Sequence, residues 1–331
     1  MRRSIIGLAV ACLGWAAAGS APAAGIAFID VPADPAQPSA APAMQGAVWY
    51  PCATAPGIVM AGQSPLRGVK DCKLEGHDLP LVVISHGFNG WFGSHQDTAE
   101  ALADAGYVVA AISHPADSGH ATDETRKPPL PALIERPDDI KRLIDFMLGS
   151  WQGAPKIDSA RIGFFGFSRG GFTGLALIGG NPDFQTAFDA LCLGAAPAPG
   201  CQEVREHGLP TQALTHDPRI KAAVIADPFF GRFYDLGAVR APVQLWASQF
   251  GGDGVLPDDG SMAAGHLPTK PEFQIVDGAG HFVFLPPCRA QTAQANPQIC
   301  TDAPGFDRAA FHARLNREVT TFFMTYLVSH P

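Results

Sequence analysis

The chain has 331 residues, with 23 Lys and Arg against 31 Asp and Glu, for a formal charge of −8. Its basic residues are scattered, with no run of five or more, so it carries no electrostatic footprint for nucleic acid or for an anionic membrane surface. The length suits one α/β domain.

The amino terminus has the three parts of a secretory leader: Met1-Arg2-Arg3, the apolar run Ile5 to Ala18, and Ala21-Pro22-Ala23. Cleavage is expected after Ala23 or Ala24, making residues 1–24 the signal and residues 25–331 the mature domain. The apolar run is too short to span a bilayer, and nothing later reads as a transmembrane segment. The expected location is therefore periplasmic or secreted. Loss of the leader removes two arginines and leaves a net charge of about −10. Six cysteines then remain, at positions 52, 72, 192, 201, 288 and 300. An even count in an oxidising compartment argues for disulfides. Pairing of nearest neighbours is expected, because each pair brackets a short loop bearing Pro or Gly. No Cys-x-x-Cys occurs, and neither metal nor cofactor is expected.

Residues 25–45 are rich in Pro and Ala and are predicted to run as an irregular arm. Gly46 to Tyr50 reads as an early strand. Leu81 to Ser85 is a continuous apolar run of strand length, as in a strand buried on both faces of a parallel sheet. It ends at the loop Ser85-His86-Gly87-Phe88-Asn89-Gly90. A helix is predicted from His95 to Ala105, with Ala99, Leu102 and Ala103 on one face, then a buried strand from Tyr107 to Ile112. Strand, helix, strand at this spacing implies a right-handed parallel crossover. Residues 118–135 are polar and rich in Pro, and are expected to form a lid or rim. A helix follows from Asp138 to Leu148.

Ile162 to Phe165 is the next strand, and it runs into Gly166-Phe167-Ser168-Arg169-Gly170. That is G-x-S-x-G, in which the serine sits on a sharp strand-to-helix turn. Residues 180–215 are expected to be a loop-like insertion that shapes substrate choice. Three strands remain, each with a polar residue beyond its carboxyl end. Ala222 to Ala226 precedes Asp227, Val243 to Ala247 precedes Asp253, and Phe273 to Val276 precedes His281. A closing helix from Asp307 to Val328 presents Phe311, Leu315, Val319, Phe322 and Leu327 inward.

A serine hydroxyl becomes a nucleophile only when a base takes its proton, and the imidazolium so formed needs a carboxylate. Ser168 is the candidate nucleophile. His281, in a Gly-flanked loop after the last strand, is the candidate base, as the chain order serine, acid, histidine requires. The acid is Asp227 or Asp253. The short connection of Asp227 to its strand favours it, while hydrolases use both positions. The backbone N–H groups of Phe88 and Arg169 are the candidate donors to an oxyanion. His86, just before that loop, is expected to orient it rather than to act as the base.

Four stretches carry a family resemblance: Ser85 to Gly90, Leu102 to His114, Gly166 to Gly171, and Gly278 to Phe284. Together they resemble the α/β-hydrolases of the dienelactone-hydrolase-like group, and are similar to the platelet-activating-factor acetylhydrolase branch. The resemblance runs from about Ala47 to the end of the chain. It implies an α/β-hydrolase fold, a mostly parallel central sheet with helices on both faces, and an exported serine carboxylester hydrolase. The substrate implied is a small-molecule or lipid-like ester, cleaved through an acyl-enzyme. Dienelactone hydrolases proper use a cysteine where this chain has Ser168, so the lactone activity does not carry over. In the acetylhydrolases the acid follows the strand matching Ala222 to Ala226, which favours Asp227; several bacterial relatives carry it after the next strand, which favours Asp253. A lipase, a polyester hydrolase or an acyltransferase would use the same triad. A non-catalytic binding protein on this fold is the alternative from another class.

Overall fold

Leu79–Ser85 is buried at every one of its seven positions. A strand apolar on both sides has to be covered on both faces, and this one lies inside a ten-stranded sheet. The computed structural model describes residues 23–37, 41–193, 200–211 and 213–328, so residues 1–22 of the expected leader lie outside it. In chain order the strands are β1 (Ala23–Val31), β2 (Met44–Cys52), β3 (Gly57–Ala61), β4 (Ser64–Lys70), β5 (Leu79–Ser85), β6 (Val108–Ile112), β7 (Ile157–Phe167), β8 (Asn181–Pro182), β9 (Ile220–Ala226), β10 (Tyr234–Asp235), β11 (Val243–Ser248) and β12 (Glu272–Val276). The large sheet has the order β12-β11-β9-β7-β5-β6-β2-β1-β4-β3, and β8 pairs with β10 apart from it. Strands β12, β11, β9, β7, β5 and β6 run parallel, whereas β2 is antiparallel to β6 and to β1.

The helices are α1 (Gln96–Asp104), α2 (Pro129–Gly149), α3 (Arg169–Leu177), α4 (Phe184–Cys192), α5 (Cys201–His207), α6 (Asp259–His266), α7 (Ala290–Ala295), α8 (Pro297–Cys300) and α9 (Arg308–Phe323). Alternation along β5 sorts the core into two layers. Leu81 and Val83 meet α2 and α3, through Leu133, Ile140, Leu143, Phe172 and Leu175. Val82 and Ile84 face the opposite way, toward Ala99, Leu102, Phe311 and Leu315 of α1 and α9. This is the α/β-hydrolase fold, with helices on both faces of a mostly parallel sheet.

Register brings the strand ends to one edge. Ser85 lies opposite Gly166, Phe167 opposite Ala226, and Ser248 opposite Val276. The residues that follow these ends therefore share one rim, and that rim holds His86, Ser168, Asp227 and the loop to His281.

Several segments depart from their sequence reading. The arm expected over residues 25–45 is strand as far as Val31, pairing along β2 from Ala23 with Cys52 to Val31 with Met44. Ile26, Ile29 and Val31 are buried there, and that apolar spacing outweighs the Pro-rich composition that follows. The segment 118–135, expected as lid or rim, becomes α2 from Pro129 onward, with Ala132 and Leu133 in the core. Prolines at 129 and 131 sit in the first turn, where the N–H groups have no intrahelical acceptor. The insertion at 180–215 contains α4 and α5 rather than loop alone. The cysteines pair as nearest neighbours: 52 with 72, 192 with 201, and 288 with 300. The five apolar residues of the closing helix are all buried, and α9 is continued by a π turn from Met324 to Val328.

Candidate active site

Ser168 joins β7 to α3 with φ +57° and ψ −116°, a backbone conformation that a non-glycine residue holds at a cost of about 1–3 kcal/mol. Three main-chain bonds keep it there. Its N–H donates to the Ala226 carbonyl at 3.0 Å, and its carbonyl accepts the N–H groups of Phe172 and Phe229, both at 3.0 Å. The turn is tight enough to demand glycine on either side. A Cβ on Gly170 would lie 1.9 Å from the Ser85 carbonyl oxygen, and one on Gly166 would lie 2.2 Å from the Gly170 carbonyl oxygen. Ser168 is buried to within 3%.

His281 opens a 3-10 turn after β12, and its own N–H is tied to the Gly251 carbonyl at 2.8 Å. Its Nδ1 lies 2.6 Å from Oδ2 of Asp227. A carboxylate only accepts, so Nδ1 carries the proton and Nε2 presents a lone pair. That Nε2 is buried and has no hydrogen-bond partner. The ring stacks on Phe167, the neighbour of Ser168, with centroids 4.6 Å apart. Asp227 is held by more than the histidine. Its Oδ1 accepts the Ser248 N–H and its Oδ2 the Ser248 hydroxyl, both at 2.7 Å.

Of the two candidate acids, then, the structure brings Asp227 to His281. Asp253 sits exposed at φ +50° in a Gly-rich turn. The physical reason is register: Asp227 follows directly on a central strand, whereas four residues separate Asp253 from β11 and leave it exposed.

The loop after β5 wraps the serine closely, and a Cβ on Gly87 would lie 3.2 Å from that of Ser168. The Asn89 N–H donates to the Asp117 carbonyl at 3.0 Å and the Gly90 N–H to the Gly87 carbonyl at 3.2 Å, leaving the Phe88 amide outside these turn bonds. The Arg169 amide is the first of α3, one of the helix donors without an intrahelical acceptor. His86 orients the loop, as its position implied. Its Nε2 accepts the His114 N–H at 3.0 Å, so its proton is on Nδ1 and is donated to the Gly87 carbonyl at 2.6 Å. Burial, aided by the Arg136 guanidinium, holds the His86 imidazole well below its ordinary pKa, and it stays neutral.

Sequence reasoning passed over Ser248, Asp117, Arg136, His114 and Asp139, all of which are buried around this rim. Arg136 had a signal. It falls on the same helical face as Ala132, Leu133, Ile140 and Leu143, where a charge among apolar neighbours needs partners. Ser248 carried none beyond being the last residue of its strand.

Phe88 and Phe250 are exposed beside the serine and the histidine, at 51% and 55%. Phe250 donates its N–H to the Ala279 carbonyl at 3.0 Å, two residues from His281. Trp91, Phe92, Phe229 and Phe230 pack partly buried against the two layers. The start of the 118–135 segment touches the loop after β5 through the Gly119 N–H, 2.8 Å from the Gly90 carbonyl. Among the described residues, no group of three or more His, Cys, Asp or Glu is placed to hold a metal ion, and no helix is long and apolar enough to cross a membrane.

No family model matches the chain, and no curated protein matches it significantly. Among solved structures it is similar to a ferulic acid esterase from Streptomyces cinnamoneus, with a TM-score of 0.62 and 20% sequence identity. The match covers 95% of this chain and 92% of that one. At that identity the likeness is one of fold.

Proposed function

We propose that the protein is an exported serine carboxylester hydrolase of one domain, acting through Ser168, His281 and Asp227. The observation that carries the reading is the proton arrangement at His281. Asp227 accepts the Nδ1 hydrogen bond at 2.6 Å while Nε2 is buried and unpartnered, and the ring stacks on Phe167, the neighbour of Ser168. An imidazole held through Nδ1 in this way has Nε2 available as a general base.

In the proposed reaction Ser168 Oγ attacks the ester carbonyl as its proton passes to His281 Nε2. The imidazolium is stabilised by Asp227, which Ser248 holds in place through two donors. The amides of Phe88 and Arg169 receive the developing oxyanion, and each such donor is worth on the order of 100- to 1000-fold in rate. The imidazolium then protonates the leaving alcohol, and a water activated by the same nitrogen clears the acyl-enzyme.

Phe88 and Phe250 supply an aromatic rim, which suits an ester with an apolar or aryl group. An aromatic ester is also what the name of the similar Streptomyces enzyme implies for that protein. Three disulfides and the expected leader both favour a periplasmic or extracellular site of action.

The test is labelling with a fluorophosphonate, beside Ser168→Ala and His281→Ala, with p-nitrophenyl esters from acetate to octanoate assayed in parallel. Wild type should label and hydrolyse, the serine variant should do neither, and the histidine variant should be strongly impaired. A folded wild type that neither labels nor cleaves any ester overturns the proposal in favour of a non-catalytic binding protein.

A further inference from the structure

The elbow and the oxyanion loop are separate stretches of chain, and the side-chain bonds between them converge on two residues. Arg136, from α2, has no exposed surface. Its Nη1 donates to Asp117 Oδ1 at 2.6 Å, its Nε to the Thr173 hydroxyl at 3.2 Å, and its Nη2 to the Ser85 hydroxyl at 3.2 Å and to the His86 carbonyl. Ser85 and His86 lead into the oxyanion loop. Thr173 lies in α3 and donates its hydroxyl to the Arg169 carbonyl at 2.8 Å. Asp117 bridges the same two stretches from the other side. Its main-chain carbonyl takes the Asn89 N–H at 3.0 Å, and its Oδ2 takes Arg169 Nη1 at 3.0 Å. The Arg169 guanidinium in turn lies 4.2 Å from the centre of the Phe88 ring.

Charge in this cluster does not cancel. Two guanidiniums share the single carboxylate of Asp117, while burial holds the neighbouring His86 and His114 neutral. Burial pushes the Asp117 carboxyl up, but the guanidiniums, Arg136 foremost, outweigh it and keep it ionised. With Asp139 paired to Arg142 at 3.5 Å, Arg136, Arg169 and Asp117 leave one positive charge over, beside the stretches that carry the Phe88 and Arg169 amides. Stability alone would be served as well by a packed apolar side chain, because burying ions is costly. An immobile excess charge is of use where negative charge develops next to it, since it needs no reorganisation during the reaction.

We propose that Arg136 and Asp117 are positioning residues for ester hydrolysis: together they lock the Phe88 and Arg169 amides at one separation and set a positive charge behind the oxyanion. The inference rests on the hydrolase reading above.

It is tested with Arg136→Lys and with Arg169→Met, which removes a partly exposed guanidinium while keeping the backbone amide. For each, kcat and KM on p-nitrophenyl butyrate are measured together with the affinity for phenylboronic acid, which forms an anionic tetrahedral adduct on the serine. Arg136→Lys should lower kcat on the order of 100-fold with KM nearly unchanged, and boronate affinity should fall in parallel. Arg169→Met should lower both by about tenfold. If Arg136→Lys does not fold, Arg169→Met decides alone. Variants with wild-type kcat and boronate affinity overturn the positioning role, including any that lose only thermal stability. Failure of wild type to label with a fluorophosphonate would instead bring down the hydrolase reading, and this inference with it.

Discussion

Among the described residues there are two serine–histidine–aspartate series, and they behave differently. At the rim, Ser168 stands on a left-handed turn and His281 keeps Nε2 free, with Asp227 on Nδ1. At the root of the loop after β5, Ser85 Oγ lies 2.9 Å from His114 Nε2, and His114 Nδ1 lies 2.9 Å from Asp139 Oδ2. Residue types are the same in both, but only in the inner series is the serine hydrogen-bonded to the histidine. In the second series, however, Ser85 ends a regular strand, its oxygen already accepts an Arg136 N–H, and no member is open to a substrate. Burial, reinforced by Arg136, holds the His114 imidazole well below its ordinary pKa, and burial pushes the Asp139 carboxyl up to about 7. A histidine that resists protonation beside a half-neutral acid is a poor base. The inner series is a strut for the loop. A triad is thus defined by which lone pair is left unclaimed and by how the nucleophile is presented.

Breaking each series should separate them. Asp227→Asn should lower kcat by about 10,000-fold, because the amide favours the wrong tautomer of His281. Asp253→Asn should change it by no more than about twofold, as for an exposed turn residue. Steady-state kinetics on one ester checks both, and equal losses would reopen the choice of acid.

His95 sharpens the comparison, being a buried histidine with neither nitrogen partnered, set against the rings of Phe165 and Phe167. Burial lowers its pKa from 6.5 to about 4, with a smaller push from His312 against Asp97. Below pH 6.5 the unfolded chain binds a proton that the folded chain refuses, so the wild type loses stability as the pH falls toward 4. His95→Leu should remove that loss, worth up to about 3 kcal/mol across the window. Denaturant unfolding at pH 7 and pH 4.5 measures it, and parallel pH dependences for the two proteins would refute it.

Ser85→Ala should cost about 1–3 kcal/mol of stability, since Arg136 and His114 each lose a buried partner. The variant should still label at Ser168, and mass spectrometry of the labelled peptide locates the adduct. Label on Ser85 in the wild type would refute the assignment of the inner series as a strut.

Local features of this protein were readable from consecutive residues. Gly166 and Gly170 around Ser168 announce a turn that no Cβ could enter, and the apolar run through Ile84 announces a strand covered on both sides. Ala99, Leu102 and Ala103 mark the buried face of α1 by spacing alone. Strand β1 was hidden because its apolar spacing is short and adjoins a Pro-rich stretch. The first turns of α2 were hidden because prolines there look like breakers, although the first turn tolerates them. The role of Arg136 was hidden because all of its partners lie on other elements.

By itself, then, the sequence determined where the chain turns, which faces are apolar, and which serine and histidine stand at strand ends, because these depend on neighbours a few residues apart. Only the tertiary structure set Asp227 rather than Asp253 against His281, brought Ser248 to Asp227, and joined Arg136 to Asp117. His281 and Asp227 are 54 residues apart, and their contact exists because parallel register aligns the strand ends on one rim. Sheet register is a property of many paired backbones together, and no local spacing encodes it.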